Sequence, residues 1–314
     1  MSRQATPNRP PTLATVAAAV GVSRMTVSNA FNRPDQLSPE LRERILKVAR
    51  QLGYSGPNPL ARTLSRGETG NVGVVFDYPL TLALTDPATV ELLRGVAAGC
   101  EEREKGLALV PRIAGRDAEL IQNALVDGFV LYCVRGQDVR LDAVRDRRLP
   151  YVLIDHQAVD GADSVNIDDR GAARSMVEHL TALGHRRFGI AMGWDAEWTS
   201  AAEIEAAIDT EHHVSAQRLA GWRDGLQDAG IEWHDVAAAS GPGFDRQTGR
   251  IAGLRLLDRA QPPTAIVAFS DVLALGVLDA ATQRGVGVPD QLSIVGFDDV
   301  PEAAHSDPFF IIVC

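Results

Sequence analysis

Apolar residues recur at spacings of three and four over the first fifty positions and then give way to short apolar runs separated by amphipathic stretches. Leu13, Val16, Ala17 and Val20 fall on one face of a short helix, with Thr12 placed to cap it and Gly21 placed to end it. A second helix follows one tight turn later. Ser23 is its N-cap candidate, Val27, Ala30 and Phe31 face inward, and Arg24, Met25, Thr26, Ser28 and Asn29 are left for the outer face. A third helix starts at Ser38-Pro39, where the missing proline N–H costs nothing, carries Leu41, Ile45, Val48 and Leu52, and stops at Gly53. Three short helices sharing one miniature core are predicted.

From Asn71 onward the pattern is strand-like runs alternating with helical ones. The runs are Val72 to Phe76, Leu107 to Val110, Gly128 to Tyr132, Tyr151 to Ile154, Phe188 to Met192, Ala265 to Phe269 and Leu292 to Gly296. Helices are predicted around Val90 to Lys105, Arg170 to Leu183, Arg218 to Ala229, Gln247 to Leu257 and Asp271 to Arg284. Such alternation predicts mostly parallel sheets covered on both faces. The length fits two doubly wound sheets in tandem, with the change near Ser164 to Asp169.

Charge separates the two parts. The net charge of -10 opposes nucleic-acid binding, yet residues 1–68 hold ten Lys plus Arg against four Asp plus Glu, a charge of +6, and the remainder carries -16. A basic head on an acidic body is the pattern expected when one module meets phosphate and the other does not. No run of about 18 apolar residues occurs, and Met1 to Pro11 is polar and proline-rich rather than a signal peptide, so a cytoplasmic protein without membrane contact is expected. Cys100, Cys133 and Cys314 lie far apart, and His212 and His213 are adjacent rather than on one helix face, so neither a disulfide, a metal site nor a cofactor is expected.

The outer face of the second helix carries the chemistry of base reading. Arg24 suits guanine or phosphate, Asn29 suits adenine, and Thr26 and Ser28 are hydroxyl donors, where an ordinary solvated helix favours Glu and Lys. Periodicity alone leaves any small three-helix bundle open. The residues Thr12 to Ala17, Gly21-Val22-Ser23, Thr26-Val27-Ser28, Asn32 and Leu52-Gly53-Tyr54 resemble the headpiece of the LacI/GalR family of repressors. That resemblance implies a helix-turn-helix headpiece at 1–56, with Thr12, Ser23, Arg24, Met25, Thr26, Ser28, Asn29, Asn32 and Tyr54 on operator DNA. Arg24 and Met25 occupy the positions that set operator preference. Asn29 stands where many members carry Arg. Residues 57–70 resemble the family's hinge helix, which implies that Asn58 and Arg62 make groove contacts, Ala61 packs against a partner helix and Leu64 wedges between base pairs, in a homodimer.

The resemblance also implies a periplasmic-binding-protein-like effector and dimerisation domain at 71–314. Polar residues follow the predicted strands: Asp77 and Tyr78, Asp155 and His156, Ser270 and Asp271, and Asp298 and Asp299, while Arg218 opens a helix. Carboxylates, an arginine and an aromatic suit a polyhydroxylated ligand beyond the carboxyl ends of the strands. Each aspartate taken singly reads equally well as a helix cap. By resemblance Asp155, Arg218, Phe244, Ser270 and Asp298 contact a small-molecule effector, a sugar being the family-level expectation. Position 270 is Ser where Asn is frequent. Gly184-His185-Arg186-Arg187 reads as a helix C-cap with cations at the helix dipole rather than a catalytic histidine. The acidic, alanine-rich segment Trp194 to His213 reads as an inserted loop or helix at a pocket's rim. After Asp298-Asp299 a relative continues through another strand and helices that return to the first sheet, so the apolar run Phe309 to Cys314 reads as the start of a strand in a shortened body.

Three function classes follow. The leading expectation is a repressor whose effector is coupled to DNA binding. A small-molecule binding protein without DNA function is permitted by the body and opposed by the basic head. An enzyme is the third class, but the chain holds no Walker loop, no Gly-x-Gly-x-x-Gly after a strand and no Gly-x-Ser-x-Gly elbow.

Overall fold

The computed structural model of the chain describes residues 11–56, 67–135, 138–193, 198–207, 212–307 and 311–313. Its contacts fall into two compact units, Met1–Thr69 and Gly70–Cys314. The expected hinge contacts Asn58, Ala61, Arg62 and Leu64 lie outside the described residues.

The first unit holds α1 (Leu13–Val20), α2 (Arg24–Asn32) and α3 (Pro39–Gln51). Thr12 forms a capping box, its hydroxyl accepting from the Thr15 N–H while the Thr15 hydroxyl accepts from the Thr12 N–H, each at 3.3 Å. Gly21 turns the chain out of α1 at a φ of 79°, a conformation that costs glycine little. Val16, Val27, Ala30 and Ile45 are wholly buried between the three helices. Two arginines of α3 fasten the ends of the others: Arg44 Nη2 donates to the Val20 carbonyl at 2.6 Å and Arg42 Nε to the Ala30 carbonyl at 3.3 Å. Leu52, expected on the inner face, is 39% exposed, because α3 ends at Gln51 and Gly53 redirects the chain. Tyr54 takes the inner place instead, edge-on to Phe31 with ring centroids 5.7 Å apart.

The second unit runs β1 (Asn71–Phe76), α4 (Leu80–Ala83), α5 (Pro87–Glu101), β2 (Gly106–Val110), α6 (Asp117–Asn123), β3 (Gly128–Tyr132), α7 (Val139–Asp146), β4 (Tyr151–Ile154) and β5 (Asp163–Val165). It continues through α8 (Asp169–Ala182), β6 (Phe188–Gly193), α9 (Ala201–Ala207), α10 (His213–Asp228), β7 (Ala237–Gly241), α11 (Arg246–Leu257), β8 (Ala265–Ala268), α12 (Asp271–Arg284), β9 (Ser293–Phe297) and β10 (Ile311–Val313). The strands form two five-stranded sheets in the orders β2-β1-β3-β4-β5 and β7-β6-β8-β9-β10. Every ladder within them is parallel. Each sheet therefore winds the same way, outward from its first strand in both directions, and both faces must be covered. In the second sheet Ile190, Val267 and Val295 belong to one face's core and Ala191, Ile266 and Ile294 to the other's.

Two strands were not anticipated. β7 is Ala-Ala-Ala-Ser-Gly, with none of the branched or aromatic residues that mark strands, yet all five residues are buried. Its small side chains admit α11, which in turn packs on α12 through Gly249 and Gly276. A Cβ on Gly249 would collide with the Leu273 carbonyl and one on Gly276 with the Arg246 carbonyl. At so close an approach there is no rotamer that relieves a larger side chain. Gly276→Val is expected to lower the stability of the body by about 1–3 kcal/mol through overpacking. Equilibrium urea unfolding checks it, and an unchanged midpoint would show that the two helices part without cost.

Candidate functional site

The outer face of α2 presents its residues unequally. Ser23 is the N-cap, its hydroxyl accepting from the Thr26 N–H at 3.0 Å and lying 2.9 Å from the Thr26 hydroxyl. Arg24 and Met25 are exposed, Met25 at 69%. An apolar side chain that open, at the start of a helix whose inner face is filled, is positioned to meet another surface. Asn29 donates from Nδ2 to Gln36 Oε1 at 3.1 Å, and Asn32 donates to the Ser28 hydroxyl at 3.3 Å. Thr12 is engaged in its capping box. Tyr54, expected at the DNA, is 8% exposed and its ring belongs to the core of the head. The residues with an open outward path are Arg24 and Met25, with Ser28 and Asn29 beside them.

In the body a cavity of about 530 Å³ lies at the carboxyl ends of strands from both sheets. Asp77 and Tyr78 follow β1, Arg112 follows β2, Tyr132 ends β3 with Cys133 and Arg135 after it, and Asp155 follows β4. From the second sheet come Phe244 after β7, Phe269 and Ser270 after β8, and Asp298 after β9, while His212, Val214, Ser215 and Arg218 come from the start of α10. Seven of the eight residues expected at an effector site line this cavity: Asp77, Tyr78, Asp155, Arg218, Phe244, Ser270 and Asp298. Asp271 does not; its carboxylate turns into the protein and accepts from the Val300 N–H at 3.0 Å. Ser270 both lines the cavity and caps α12.

Several lining residues hold backbone angles that side chains other than glycine rarely adopt. Cys133, Asp155 and Asp298 have φ of 52°, 54° and 109°. Each sits directly after a strand, where the left-handed turn breaks the extended course of the chain at the cavity's edge. Strain of this kind collects at functional sites.

Arg218 organises the second sheet's share of the cavity. Its side chain is 8% exposed; Nε donates to Asp169 Oδ1 at 2.9 Å, Nη1 to the Phe269 carbonyl at 2.6 Å and Nη2 to Asp298 Oδ1 at 3.2 Å. Its guanidinium also lies over the rings of Phe297, at 3.6 Å, and Phe269, at 4.9 Å. Burial pushes the Asp298 carboxyl up to about 7 against the opposing pull of Arg218. Burial, with Asp169 adding repulsion, pushes Asp155 up to about 6. Across the cavity Asp77, almost fully buried, pairs with the buried Arg140, which also pairs with Asp138. Arg112 Nη1, Arg135 Nε and His212 Nε2 stand 3.5, 3.6 and 3.4 Å from the Asp77 carboxylate. Tyr78, Tyr132, Phe244 and Phe269 supply apolar wall.

Sequence reading passed over Arg112, Tyr132, Arg135, His212 and Phe269. The same rule that found the others, to inspect the residues after each strand, points to Arg112 and Arg135. His212 closes a segment to which no role was given, and only the tertiary fold brings it to Asp77. Gly184-His185-Arg186-Arg187 is a helix exit: Gly184 has a φ of 94° and Arg186 Nη1 donates to the Thr181 carbonyl at 3.1 Å. His185 joins two strand starts, its ring nitrogens 3.0 Å from the hydroxyls of Thr264 and Ser293. Among the described residues no group of three or more His, Cys, Asp or Glu could hold a metal, and no helix is long and apolar enough to cross a membrane.

Residues 12–58 match the description "Bacterial regulatory proteins, lacI family", and residues 177–310 match "Periplasmic binding protein-like domain". An HTH-type transcriptional regulator of Mycolicibacterium smegmatis is 37% identical over 96% of this chain and 86% of its own length. The chain belongs to the LacI family of transcription regulators. Members are DNA-binding regulators built from a helical helix-turn-helix head and a body of two parallel α/β sheets with an effector domain, and they are not enzymes. Among solved structures, a complex of the transcriptional regulator CelR with cellobiose is 28% identical, with a TM-score of 0.65 over 96% of this chain and 86% of the other. The Lac repressor dimer bound to operator and the anti-inducer ONPF shares the fold, with 24% identity and a TM-score of 0.73 over 97% of this chain and 87% of the other.

The raised carboxyl of Asp155 carries a pH consequence. Between its ordinary value and about 6 the folded chain holds a proton that the unfolded chain has lost, so this group's contribution to stability falls as pH rises through that interval. Asp155→Asn removes the titration. The variant's melting temperature relative to the unsubstituted protein is expected to rise between pH 4.5 and pH 7.5, and a difference that stays constant would overturn the assignment.

Proposed function

We propose that this LacI-family regulator is a repressor that acts in the cytoplasm as a homodimer, sets two copies of α2 into the major grooves of a pseudo-palindromic operator, and is controlled by a sugar or related polyol in the body's cavity. The observation that carries the effector part is the composition of that cavity. Asp155, Asp298 and Ser270 offer hydrogen-bonding groups at strand ends, and Phe244, Phe269, Tyr78 and Tyr132 offer flat apolar faces, the combination that suits a ring bearing vicinal hydroxyls. The cellobiose complex of CelR and the operator complex of the Lac repressor dimer support the two halves of the reading by likeness.

In this reading Arg24 and Met25 set base preference, Thr26, Ser28, Asn29 and Asn32 serve the same face, and Thr12 and Ser23 hold the helices at the angle required. The hinge residues Asn58, Ala61, Arg62 and Leu64 follow the family pattern, with Leu64 as the wedge that kinks the operator. Effector and operator are then linked reciprocally: a ligand that prefers one body conformation changes operator affinity by the same factor as the operator changes its own.

Genomic footprinting with the purified protein identifies the operator, and fluorescence anisotropy on that duplex then measures affinity. Arg24→Ala is expected to weaken binding by about 1–3 kcal/mol and to relax preference at one base pair in each half-site. Equal binding of both proteins to operator and scrambled duplex would refute the assignment of α2. A panel of sugars and nucleosides, scored on melting temperature and on operator affinity together, tests the effector part, which fails if neither quantity moves for any of them.

A further inference from the structure

We infer that the second sheet carries a separate anion site at the amino ends of its strands, built on Arg186, Arg187 and Arg259, which takes the phosphoryl group of a small phosphorylated metabolite. The site is independent of the effector cavity, which lies at the opposite, carboxyl ends of the strands.

A cavity of about 560 Å³ opens where β6 starts at Phe188, where β7 starts at Ala237 and where the chain enters β8 through Pro263. That volume is in the range of small-molecule sites. Its charged lining residues are Arg186, Arg187, Arg259 and Asp235, and the other seven are uncharged, so the lining carries +2 on a body whose charge is -16. Glu232 and Asp258, each close in the chain to a lining residue, do not border the cavity, and Asp258 is held by Arg284 through two bonds of 2.7 Å.

Each of the three arginines is tethered by backbone carbonyls. Arg186 Nη1 donates to the Thr181 and His185 carbonyls at 3.1 and 2.8 Å. Arg187 Nε donates to the Pro262 carbonyl, and Arg259 Nη1 to the Thr199 carbonyl, both at 3.1 Å. Among the described residues none of the three has a carboxylate partner, and their exposed guanidinium groups keep further nitrogens outside these bonds. A carbonyl tether leaves the cation's full charge uncompensated by a counter-ion while fixing where the group lies. Less side-chain freedom is then lost when an anion arrives. The ends of α8 and α11, near Arg186 and Arg259, contribute about half a negative charge each, which lowers the positive balance without cancelling it.

The number and shape of the donors favour phosphate over carboxylate. A guanidinium presents a planar fork of N–H groups that suits either anion. A phosphoryl group, however, brings three acceptor oxygens and a charge of about -1.5 to -2, so that three guanidinium groups can share it, where a carboxylate brings two oxygens and a single charge. Asp235 on the same lining repels a second anionic group and accepts from a hydroxyl, which selects a ligand with one phosphoryl end and a hydroxyl-bearing body.

The test uses the whole chain and isothermal titration calorimetry at constant ionic strength, with glycerol 3-phosphate, inorganic phosphate, citrate and a glutamate-rich peptide as probes. Glycerol 3-phosphate is expected to bind at one site per chain, about tenfold or more tighter than citrate or the peptide. Arg187→Gln and, separately, Arg259→Gln should each weaken it about tenfold, with circular dichroism melting showing that the variants fold. Asp235→Asn should tighten it about threefold, a gain that damage to the fold does not produce. The assignment is overturned if neither phosphate binds, or if both folded arginine variants keep the original affinity. Citrate binding as tightly as glycerol 3-phosphate overturns the phosphoryl part, and the peptide doing so makes the cavity a protein-docking surface instead. Binding that is lost in Arg24→Ala or Arg112→Gln and kept in Arg187→Gln and Arg259→Gln places the phosphate at the head or in the effector cavity, and also overturns it.

Discussion

The body of this protein depends on one buried cation. The guanidinium of Arg218 reaches from α10 to the start of α8, to the carbonyl just after β8 and to the carboxylate after β9, and it lies over the rings of two phenylalanines. A charge so nearly removed from water is tolerated only when its donors are engaged and its counter-charges are close. The arrangement therefore fixes three chain segments to one another at the edge of the cavity. Anything that enters beside Asp298 enters next to this junction, and a change in how Asp298 is held reaches α8 and α10 through a single side chain.

The opposite wall is built on a different economy. There one buried carboxylate, Asp77, gathers Arg112 and Arg135 from beyond the ends of β2 and β3, Arg140 from α7 and the His212 ring from the start of α10. Both walls place their charged groups just beyond the carboxyl ends of parallel strands, where strand dipoles and left-handed turns already break the regular backbone. The rarely adopted angles of Cys133, Asp155 and Asp298 give the same impression from the backbone side. Two sheets with the same winding order thus contribute equivalent edges, and the cavity is what their equivalence produces.

Much of this was legible in the sequence, for reasons that differ between elements. The three helices of the head were readable because caps and apolar spacing agreed: Thr12, Ser23 and Ser38 each cap as their position implies. Strands such as Gly128–Tyr132 and Tyr151–Ile154 were readable because buried parallel strands are continuous apolar runs. β7 was not, because an alanine strand is selected by the room it leaves for α11 and not by its own propensity. β5, three exposed residues at a sheet edge, has no core pattern to show. In the cavity, residues directly after readable strands were found, whereas His212 depends on a long-range approach of α10. Leu52 and Tyr54 exchanged places because helix periodicity was carried one residue past the turn at which α3 ends.

The hydrogen bond from Asn29 to Gln36 has a consequence for how α2 presents that side chain. Gln36 holds one N–H of the amide, which sets the plane of the group while leaving its second N–H and its Oδ1 for other partners. A side chain already held has less rotational freedom to lose when it meets another surface, so the short helix carries one pre-set polar group beside the exposed Arg24 and Met25.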